Sequence, residues 1–492
     1  MKIYYMKRLN ILFIFATLVF CYTQGQSGSV TNEPPNIIVF MTDDVSWNDL
    51  GCYGNTFVDT PNIDKLAANG MRFDNAILTA SSCSPSRISI MTGRYPHNTG
   101  AAELHTEPKV DFESIASSLK TNGYYTGQAG KWHMGNLLRK GFDKIYEKKE
   151  DNGDGGENMW VPSIENRDKN KPFFFWFAAY DAHRIWGENI FSNTHEPSQI
   201  SVPPTLVDND STRFDLAQYY DEIKRFDHHI GMVVETLKAQ GVYENTLIFI
   251  MADNGRPFPR DKTRMYDSGM KTPFIMHWPT RSVKGTSTSL ISSVDLAPTI
   301  LDACNVNLPK TFQGKSFKRL FEDPSKDFRT YAFAEHNWHD YEAHERMART
   351  KDFIYILNSR PQFSNQGPAD ALNSTSFRSL QRQYRKNSLT SAQYDVFLAP
   401  RPSEELYFVK NDPLQLDNII ERKEYVAVQR KLKRELQDWM EETGDDIPTY
   451  LTKDWYTRDG GKKIEKDFNI RGEMPGVQNG GERRNTINGF ND

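Results

Sequence analysis

This chain contains few cysteines, and it also lacks a strong net charge and a long hydrophobic run. The 492 residues include four cysteines, and 60 basic residues nearly balance 64 acidic ones for a net charge of −4. This charge gives no support for a nucleic-acid partner. The apolar run near the N-terminus, residues 11–20, is shorter than the roughly 20 residues that a transmembrane helix needs. We therefore expect no transmembrane segment.

The N-terminus has the pattern of a secretory signal. Lysine and arginine residues precede the apolar run, and polar residues follow it. We predict a signal peptide over residues 1–25 and an exported protein, periplasmic or secreted. A lipoprotein anchor at Cys21 is the less favoured alternative, because Phe20 is a poor residue before a lipidated cysteine.

Removal of this signal leaves three cysteines, and an odd number argues against a disulfide framework in an exported protein. A pair between Cys52 and Cys304 stays open as an alternative. We favour two unreactive thiols and one modified residue, Cys83.

The first two-thirds of the chain alternate strand-like and helix-like segments. Helices are expected at residues 60–69 and 214–240. Short apolar runs predict buried parallel strands at residues 36–41, 173–178, 247–251 and 274–277. This alternation predicts an α/β fold, in which helices cover both faces of a mostly parallel sheet. We assign residues 31–325 to this domain.

The character of the chain changes after about residue 325. Short strand-like runs at 331–335, 345–350 and 353–357 predict an antiparallel sheet, and a helix is expected at 424–442. We assign residues 326–457 to a smaller α+β domain. Residues 458–492 are rich in glycine, asparagine and charge, and they are expected to be disordered or to lie along the surface.

Cys83 begins the string Cys-Ser-Pro-Ser-Arg, which ends at Arg87. Pro85 suits the first turn of a helix, Ser84 is a candidate N-cap and Gly93 is a fitting end. Cys83 would then lie at a helix N-terminus, where exposed N–H groups favour anions. The alternative is that Cys83 is simply a small buried apolar residue.

Two acidic clusters follow directly after predicted strands. Asp43 and Asp44 follow the first strand, and Asp253 and Asn254 follow the strand at 247–251. In open α/β sheets, sites form at the carboxyl ends of strands. Carboxylate and amide oxygens suit Ca²⁺ or Mg²⁺ rather than zinc. The alternative is that each cluster only forms a turn.

Cationic residues occupy other loops at predicted strand ends. Lys131 and His133 follow a short strand at 124–126, His183 follows the strand at 173–178, and Lys262 lies in the loop after Asp253. Such residues could hold an anionic substrate, although a lone lysine or histidine in a loop is usually only solvated.

Taken in order, these motifs resemble the type I, formylglycine-dependent sulfatases of the alkaline-phosphatase superfamily. In that family the motif cysteine is oxidised to formylglycine by a maturase. The motifs that carry the resemblance are Asp43-Asp44, residues 60–66, Cys83 to Arg87, Thr92-Gly93-Arg94, residues 130–133, Asp253-Asn254-Gly255, residues 405–407 and Asp412-Pro413.

The resemblance implies a role for each matching residue. Asp43, Asp44, Asp253 and Asn254 would bind Ca²⁺, with Mg²⁺ as the alternative, together with the residue matured from Cys83. Arg87 would steady the formylglycine hydrate. Lys131, His183 and Lys262 would hold sulfate, with His183 or Lys262 protonating the leaving oxygen, and His133 would be the base that releases sulfate.

Within this family the sequence is most similar to the N-sulfoglucosamine sulfohydrolase branch, and the signal resembles those of exported Bacteroidota polysaccharide sulfatases. Ala182 replaces a proline of that branch, Ile185-Trp186 replaces Cys-Gly, and Lys262 stands where the branch has arginine. We therefore do not transfer N-sulfate specificity. The candidate sugar contacts are Glu103, His105, Arg184, Trp186, His336, Trp338, His339, His344 and Arg346.

The resemblance implies an exported sulfatase that removes O-sulfate from an algal glycan, such as ulvan, carrageenan or fucan, or from a glycosaminoglycan. Three alternatives stay open. They are an N-sulfoglucosamine sulfohydrolase on heparan-type chains, a phosphodiesterase or phosphonate hydrolase of the same superfamily, and an inactive glycan-binding homologue.

Overall fold

The computed structural model describes residues 33–476. The predicted signal peptide, the alternative anchor at Cys21 and the end of the predicted tail, residues 477–492, lie outside the described residues. Within the described range, no helix has both the length and the apolar character needed to cross a membrane.

Most of the chain is built around a large sheet, which has eight strands within residues 33–476. Their spatial order is β4-β3-β5-β1-β6-β7-β2-β8. The strands are β1 Asn36–Thr42, β2 Met71–Ile77, β3 Tyr125–Gly130, β4 Lys144–Tyr146, β5 Phe173–Ala178, β6 Thr246–Ala252, β7 Phe274–His277 and β8 Gly285–Ser292.

The pairing is parallel except at β7, which runs antiparallel to both β6 and β2. The prediction of a parallel strand at 274–277 was therefore wrong in direction. A four-residue run buried at every position does not encode its direction, because burial on both faces is the same either way.

Helices cover both faces of the large sheet, and the alternating side chains of β1 show why. The α-helices are α1 Pro61–Ala68, α2 Cys83–Thr92, α3 Ile115–Thr121, α4 Lys149–Asn152, α5 Trp160–Glu165, α6 Asp210–Ala239, α7 Asp267–Met270, α8 Leu296–Ala303, α9 Ala369–Leu372, α10 Thr375–Arg385, α11 Ser391–Tyr394 and α12 Val426–Thr443. Ile37 and Val39 pack in the core on one face with α2, α3 and α8, whereas Ile38 and Phe40 pack on the other with α1, α5 and α6.

A second, antiparallel sheet follows, as the sequence predicts. Its strands are β9 Ala332–His336, β10 Glu345–Arg349, β11 Phe353–Asn358 and β12 Glu404–Phe408, in the order β12-β11-β10-β9. Helix α12 packs on it, and Trp439 stacks on Phe333 with 5.3 Å between ring centroids. The predicted fold class is confirmed, while the domain boundaries at 325 and 457 stay a prediction.

The topology brings the polar loops to one edge of the large sheet. Strand β1 lies between β5 and β6, and β3 lies beside β5, with all four parallel. Their carboxyl ends therefore meet at the same edge, which is where sites form in open α/β sheets.

Candidate active site

Three carboxylates meet at the carboxyl ends of β1 and β6. One oxygen from each of Asp43, Asp44 and Asp253 lies within 4.8 Å of the others, and all three residues are fully buried. Asn254 joins them, because its Nδ2 donates a hydrogen bond to Asp44 Oδ1 at 2.5 Å. Asp44 has a φ of 59°, a left-handed conformation that a non-glycine residue holds only when its surroundings fix it.

This cluster fits a divalent cation. Among the described residues, Asp43 Oδ1 and Asn254 Oδ1 are buried oxygens without a hydrogen-bond partner. Buried polar atoms nearly always have partners, so two such oxygens beside further carboxylates indicate that a ligand completes the set. A donor set made only of oxygens suits Ca²⁺ or Mg²⁺.

Cys83 is the first residue of α2 and lies directly beside these carboxylates. Its Sγ is 3.9 Å from Asp44 Oδ1, and the residue is 2% exposed. Burial raises the pKa of the Cys83 thiol well above its usual value, and the nearby Lys131 and Lys262 do not offset this. Because the thiolate is the reactive form, the unmodified thiol is a poor nucleophile.

The predicted position of Cys83 at a helix N-terminus is confirmed, but the predicted cap is wrong. Ser82 is the N-cap residue and Ser84 lies inside the helix. The Ser84 hydroxyl instead accepts a hydrogen bond from the backbone N–H of His105 at 2.9 Å. The helix ends at Gly93 in the left-handed conformation, as predicted.

Two buried cations, Arg87 and Lys262, and the partly exposed Lys131 offset the three carboxylates. Arg87 Nε donates to Asp253 Oδ2 at 2.6 Å, and Lys262 Nζ lies 2.8 Å from Asp44 Oδ1. The Lys131 ammonium contacts Asp43 Oδ2.

The pKa values of this network follow from burial and pairing. Burial alone would lower the pKa of Lys262, but the Asp44 carboxylate raises it well above the usual value. Burial would likewise raise the pKa of Asp43, yet Lys131 and other cations leave it lowered. Both groups are therefore held in their charged forms.

His133 and His105 form a hydrogen-bonded pair at the side of the site. His105 Nδ1 and His133 Nε2 are 2.8 Å apart, and both residues have positive φ, 61° and 49°. Burial, followed by the charge of Lys131, lowers the pKa of His133 well below its usual value. Partial removal of the His105 ring from water, followed by the charge of Arg471, lowers its pKa to about 4. Both imidazoles are therefore neutral near pH 7, and a neutral imidazole can accept a proton.

His183 follows β5 and lies near the same carboxylates. Its Nε2 lies 4.0 Å from Asp44 Oδ2 and 3.7 Å from Asp370 Oδ2. Its Nδ1 is 2.5 Å from the Arg184 carbonyl oxygen, which fixes the ring.

A cleft of about 730 Å³ lies over these residues. Of the predicted sugar contacts, His105 and His339 line it, and His339 Nδ1 is also 2.7 Å from Ser82 Oγ. The residues predicted from the sequence do not include several polar and aromatic residues of the walls, most of which belong to segments that carry no motif. They are Glu147, Tyr180, Asp340, Asp370, Asn373 and Tyr456.

The other predicted sugar contacts do not line this cleft. Arg184 forms a two-point ion pair with Asp215, and Trp186 Nε1 donates to the same carboxylate at 2.7 Å. Arg346 is fully buried and pairs with Asp445. These side chains are held by carboxylates distant in sequence, and Arg184 lines a neighbouring cavity together with Lys131 and His183. Their contact with a sugar stays a prediction.

Four more candidates are buried among the small sheet and the C-terminal residues. His344 Nε2 lies 3.1 Å from the Asp446 carbonyl oxygen, and His336 is only 4% exposed. Trp338 Nε1 donates to the Lys453 carbonyl at 2.8 Å, and Glu103 accepts from Thr452 at the same distance. Trp338 nevertheless packs in one cluster with Cys83 and Leu104, which line the cleft, and Glu103 directly precedes Leu104.

The two other cysteines within residues 33–476, Cys52 and Cys304, do not line the cleft. Cys52 and Cys304 are both free, so the alternative of a disulfide between them is not realised. Burial raises the pKa of each thiol to about 12, which makes both unreactive, as expected.

Solved structures similar to this one support the fold. A protein in complex with its substrate D-glucosamine-2-N,6-O-disulfate has a TM-score of 0.65 at 22% identity, covering 83% of this chain and 98% of that one. The phosphonate monoester hydrolase of Agrobacterium radiobacter has a TM-score of 0.63 at 16% identity, covering 82% and 95%.

Sequence relatives give the family. An ulvan-active sulfatase of Formosa agariphila is 29% identical over 472 residues, covering 84% of this chain and 76% of its own. The human N-sulphoglucosamine sulphohydrolase is 27% identical over 462 residues, covering 84% and 91%. The model for the C-terminal part of N-sulphoglucosamine sulphohydrolase matches residues 258–356. The Sulfatase model matches residues 35–306, more than half of the chain, and the chain therefore belongs to the sulfatase family, whose members are sulfuric ester hydrolases.

Proposed function

We propose that this sulfatase removes an O-sulfate group from a sugar residue of a sulfated polysaccharide or oligosaccharide, with residue 83 in the formylglycine form and Ca²⁺ or Mg²⁺ bound. The position of Cys83 carries the proposal. Its side chain stands at a helix N-terminus, beside three buried carboxylates and at the floor of an open cleft.

Formylglycine would supply the chemistry that the cysteine lacks, since its hydrate offers one hydroxyl to attack sulfur and a second through which sulfate is released. Asp43, Asp44, Asp253 and Asn254 would hold the cation. Arg87 is fixed by Asp253 and would hold residue 83 from below. An anion at this position would also face the N–H groups of the α2 N-terminus.

The proposal includes two proton transfers. His183 and Lys262 line the cleft on the side of Asp44 and would bind sulfate, and one of them would protonate the leaving sugar oxygen. The neutral imidazole of His133, paired with His105, would accept the proton that is lost when sulfate leaves residue 83. General acid–base assistance of this kind typically contributes ~10²–10⁴-fold to the rate.

The walls of the cleft support a saccharide as substrate. Tyr180 and Tyr456 offer aromatic surface, while Asp340, Asp370 and Asn373 offer acceptors for sugar hydroxyl groups. Asp370 stands 3.7 Å from His183 Nε2, so it would meet hydroxyl groups close to the scissile sulfate. We place N-sulfate cleavage second, because Lys262 and the residues after His183 depart from the N-sulfoglucosamine branch.

Sulfate release after maturation tests the proposal. The protein is co-expressed with a formylglycine-generating maturase, and peptide mass spectrometry establishes which form residue 83 has. Sulfate release is then measured on ulvan, carrageenan, fucan and heparan-type oligosaccharides, with Cys83→Ala as the control. Activity with an unmodified Cys83, or full maturation without sulfate release from any O-sulfated saccharide, would contradict the proposal.

A phosphate diester or phosphonate ester is the second candidate. The buried Lys262 and Arg87 and the partly exposed Lys131 would attract any tetrahedral oxyanion, and they do not discriminate between sulfur and phosphorus at its centre. Comparing kcat/KM for 4-nitrophenyl sulfate and 4-nitrophenyl phenylphosphonate with the matured protein separates the two. We expect the sulfate ester to be preferred.

We also propose that the protein is exported, on the pattern of residues 1–25. Expression in a Bacteroidota host followed by N-terminal sequencing of the cell-free and periplasmic fractions tests this. Recovery of the full-length chain from the cytoplasm alone would contradict it.

A further inference from the structure

The C-terminal part of the described chain forms a wall beside residue 83. We call residues 451–476 the strap. Trp455 of the strap packs in one apolar cluster with Cys83, Leu104 and Trp338. The strap is fixed to the loop after β9, because the backbone N–H of Trp455 donates a hydrogen bond to the Asp340 carbonyl oxygen at 2.9 Å. The strap is therefore part of the surroundings of the active site.

Arg471 connects the strap to the loop that precedes His105. Its guanidinium carbon lies 4.3 Å from the Trp338 ring centroid and 4.4 Å from that of Trp455, so the group is in contact with both indoles. Nη1 lies 2.9 Å from Glu103 Oε2, and Nη2 donates to the Leu104 carbonyl at 2.7 Å. A planar group that stacks and also donates in two directions is a role that lysine cannot fill.

Glu103 is the partner that makes this contact rigid. The residue is 1% exposed, and its Oε2 also accepts a hydrogen bond from Thr452 of the strap at 2.8 Å. Loss of Arg471 would leave a buried carboxylate with one partner fewer, and the loop that carries it would lose its anchor on this side.

The anchored loop leads directly to the histidine pair. His105 follows Leu104 and has a φ of 61°, a conformation that its surroundings must maintain. Its backbone N–H is fixed to Ser84 of α2, and its Nδ1 lies 2.8 Å from His133 Nε2. A shift of the Leu104 carbonyl would therefore move His105 and, through it, the ring of His133.

We infer that Arg471 is a positioning residue, which holds Glu103 and Leu104 so that His105 orients His133 for release of sulfate from residue 83. The inference rests on the proposed role of His133. Arg471 itself does not line the cleft and does not contact the reacting atoms.

The test compares Arg471→Ala with Arg458→Ala in matured full-length protein. Arg458 is a matched control in the same strap, because it also stacks on two rings, Tyr341 and Phe363, and pairs with Asp454. It has no contact with the 103–105 loop among the hydrogen bonds of the described chain. Both variants thus loosen the strap, but only Arg471→Ala removes the contacts that hold the 103–105 loop.

We expect Arg471→Ala to lower kcat about 10-fold or more, as small displacements of a catalytic group can do. KM should fall by a similar factor, so that kcat/KM stays within about threefold of the wild-type value. The reason is that a base needed only for sulfate release acts after the sugar has left. Arg458→Ala should keep kcat within about threefold. Added guanidinium ion should restore part of the kcat of Arg471→Ala, whereas Arg471→Lys should stay slow. The substrate is the saccharide that the wild-type protein hydrolyses fastest.

Equal kcat for the two alanine variants, or full activity of Arg471→Lys, would overturn the inference. A fall of kcat/KM in parallel with kcat would also overturn it, since that result indicates general damage to the site. Failure of the proposed function would be visible separately, as absence of sulfate release by the matured wild-type protein.

Discussion

Three carboxylates and three cations lie together at the base of the cleft, and all of them except Lys131 are buried. Pairing must be near complete in such a place, because an unpaired buried charge is costly. Asp43 Oδ1, Asn254 Oδ1 and Arg87 Nη2 are without hydrogen-bond partners among the described residues, and the two oxygens belong to the cluster that would hold a cation. Stability should therefore respond to the ion.

Adding Ca²⁺ should raise the melting temperature of the wild-type protein, because a ligand that binds only the folded state stabilises it by mass action, about 2.7 kcal/mol at a concentration 100 times Kd. Asp253→Asn should abolish most of this increase, since it removes a charged ligand. Differential scanning fluorimetry with and without Ca²⁺ measures it. The control is Asp74→Asn, whose partner Arg72 lies in a half-exposed pair away from the cluster. An unchanged Ca²⁺ response in Asp253→Asn would contradict the assignment of the ligand.

The lowered pKa of His133 gives a second expectation at this scale. Burial, Lys131 and His105 hold this pKa well below the ordinary 6.5, so the neutral ring that accepts a proton persists at mildly acidic pH. The kcat should consequently stay level as the pH falls through 6.5 and decline only at lower pH. A kcat–pH profile of the wild-type protein and of His133→Gln measures this. An acidic limb near 6.5 that disappears in His133→Gln would show that the pKa is not lowered.

At the scale of elements, local patterns in the sequence predict which segments form strands and helices better than how those segments meet. The strand at 173–178 is observed at its predicted bounds, and Cys83 begins a helix as expected. The direction of β7 was wrong because it depends on neighbours that a short buried run does not identify. The effect of replacing a glycine is likewise not visible in the sequence, since it depends on which atoms of the neighbouring strand lie against that glycine.

Gly130 ends β3 immediately before Lys131 and has a φ of 93°. A Cβ at this position would overlap the Ala178 carbonyl oxygen, which accepts the Lys131 N–H at 2.8 Å. We expect Gly130→Ala to displace Lys131 and to reduce both melting temperature and sulfate release. Gly123→Ala is the matched control, because Gly123 has a φ of 87° but nothing within 4 Å of its Cβ position. Its cost should be limited to backbone strain of about 1 kcal/mol. Equal losses in the two variants would argue against a role for the close contact.

At the scale of the whole molecule, the cleft is assembled from distant parts of the chain, and this limits what the sequence alone predicts. The carboxylate cluster and the cations follow strands of one sheet, so motif order and topology were enough to place them together. Asp370 and Tyr456, in contrast, come from later segments that carry no motif. Arg184 and Arg346 resemble free cations in the sequence, but their partners Asp215 and Asp445 lie 31 and 99 residues away. Such pairings are decided by tertiary packing.

Because His339 follows β9 while Lys131 follows β3, the cleft needs both sheets in place. Trp439 holds α12 on the small sheet, since it stacks on Phe333 and meets Tyr95 edge-on at 5.0 Å. We expect Trp439→Ala to lower the free energy of unfolding by about 3–5 kcal/mol, the usual cost of removing a buried tryptophan side chain. The exposed Tyr450 provides the control, and Tyr450→Ala should change stability by less than about 0.5 kcal/mol. Urea titrations followed by circular dichroism and by sulfate release measure both effects. If the two sheets are needed together, activity and ellipticity will be lost in one transition, and in Trp439→Ala this transition will occur at a lower urea concentration than in the wild-type protein. Activity that survives the loss of the small sheet would show that the large sheet alone suffices.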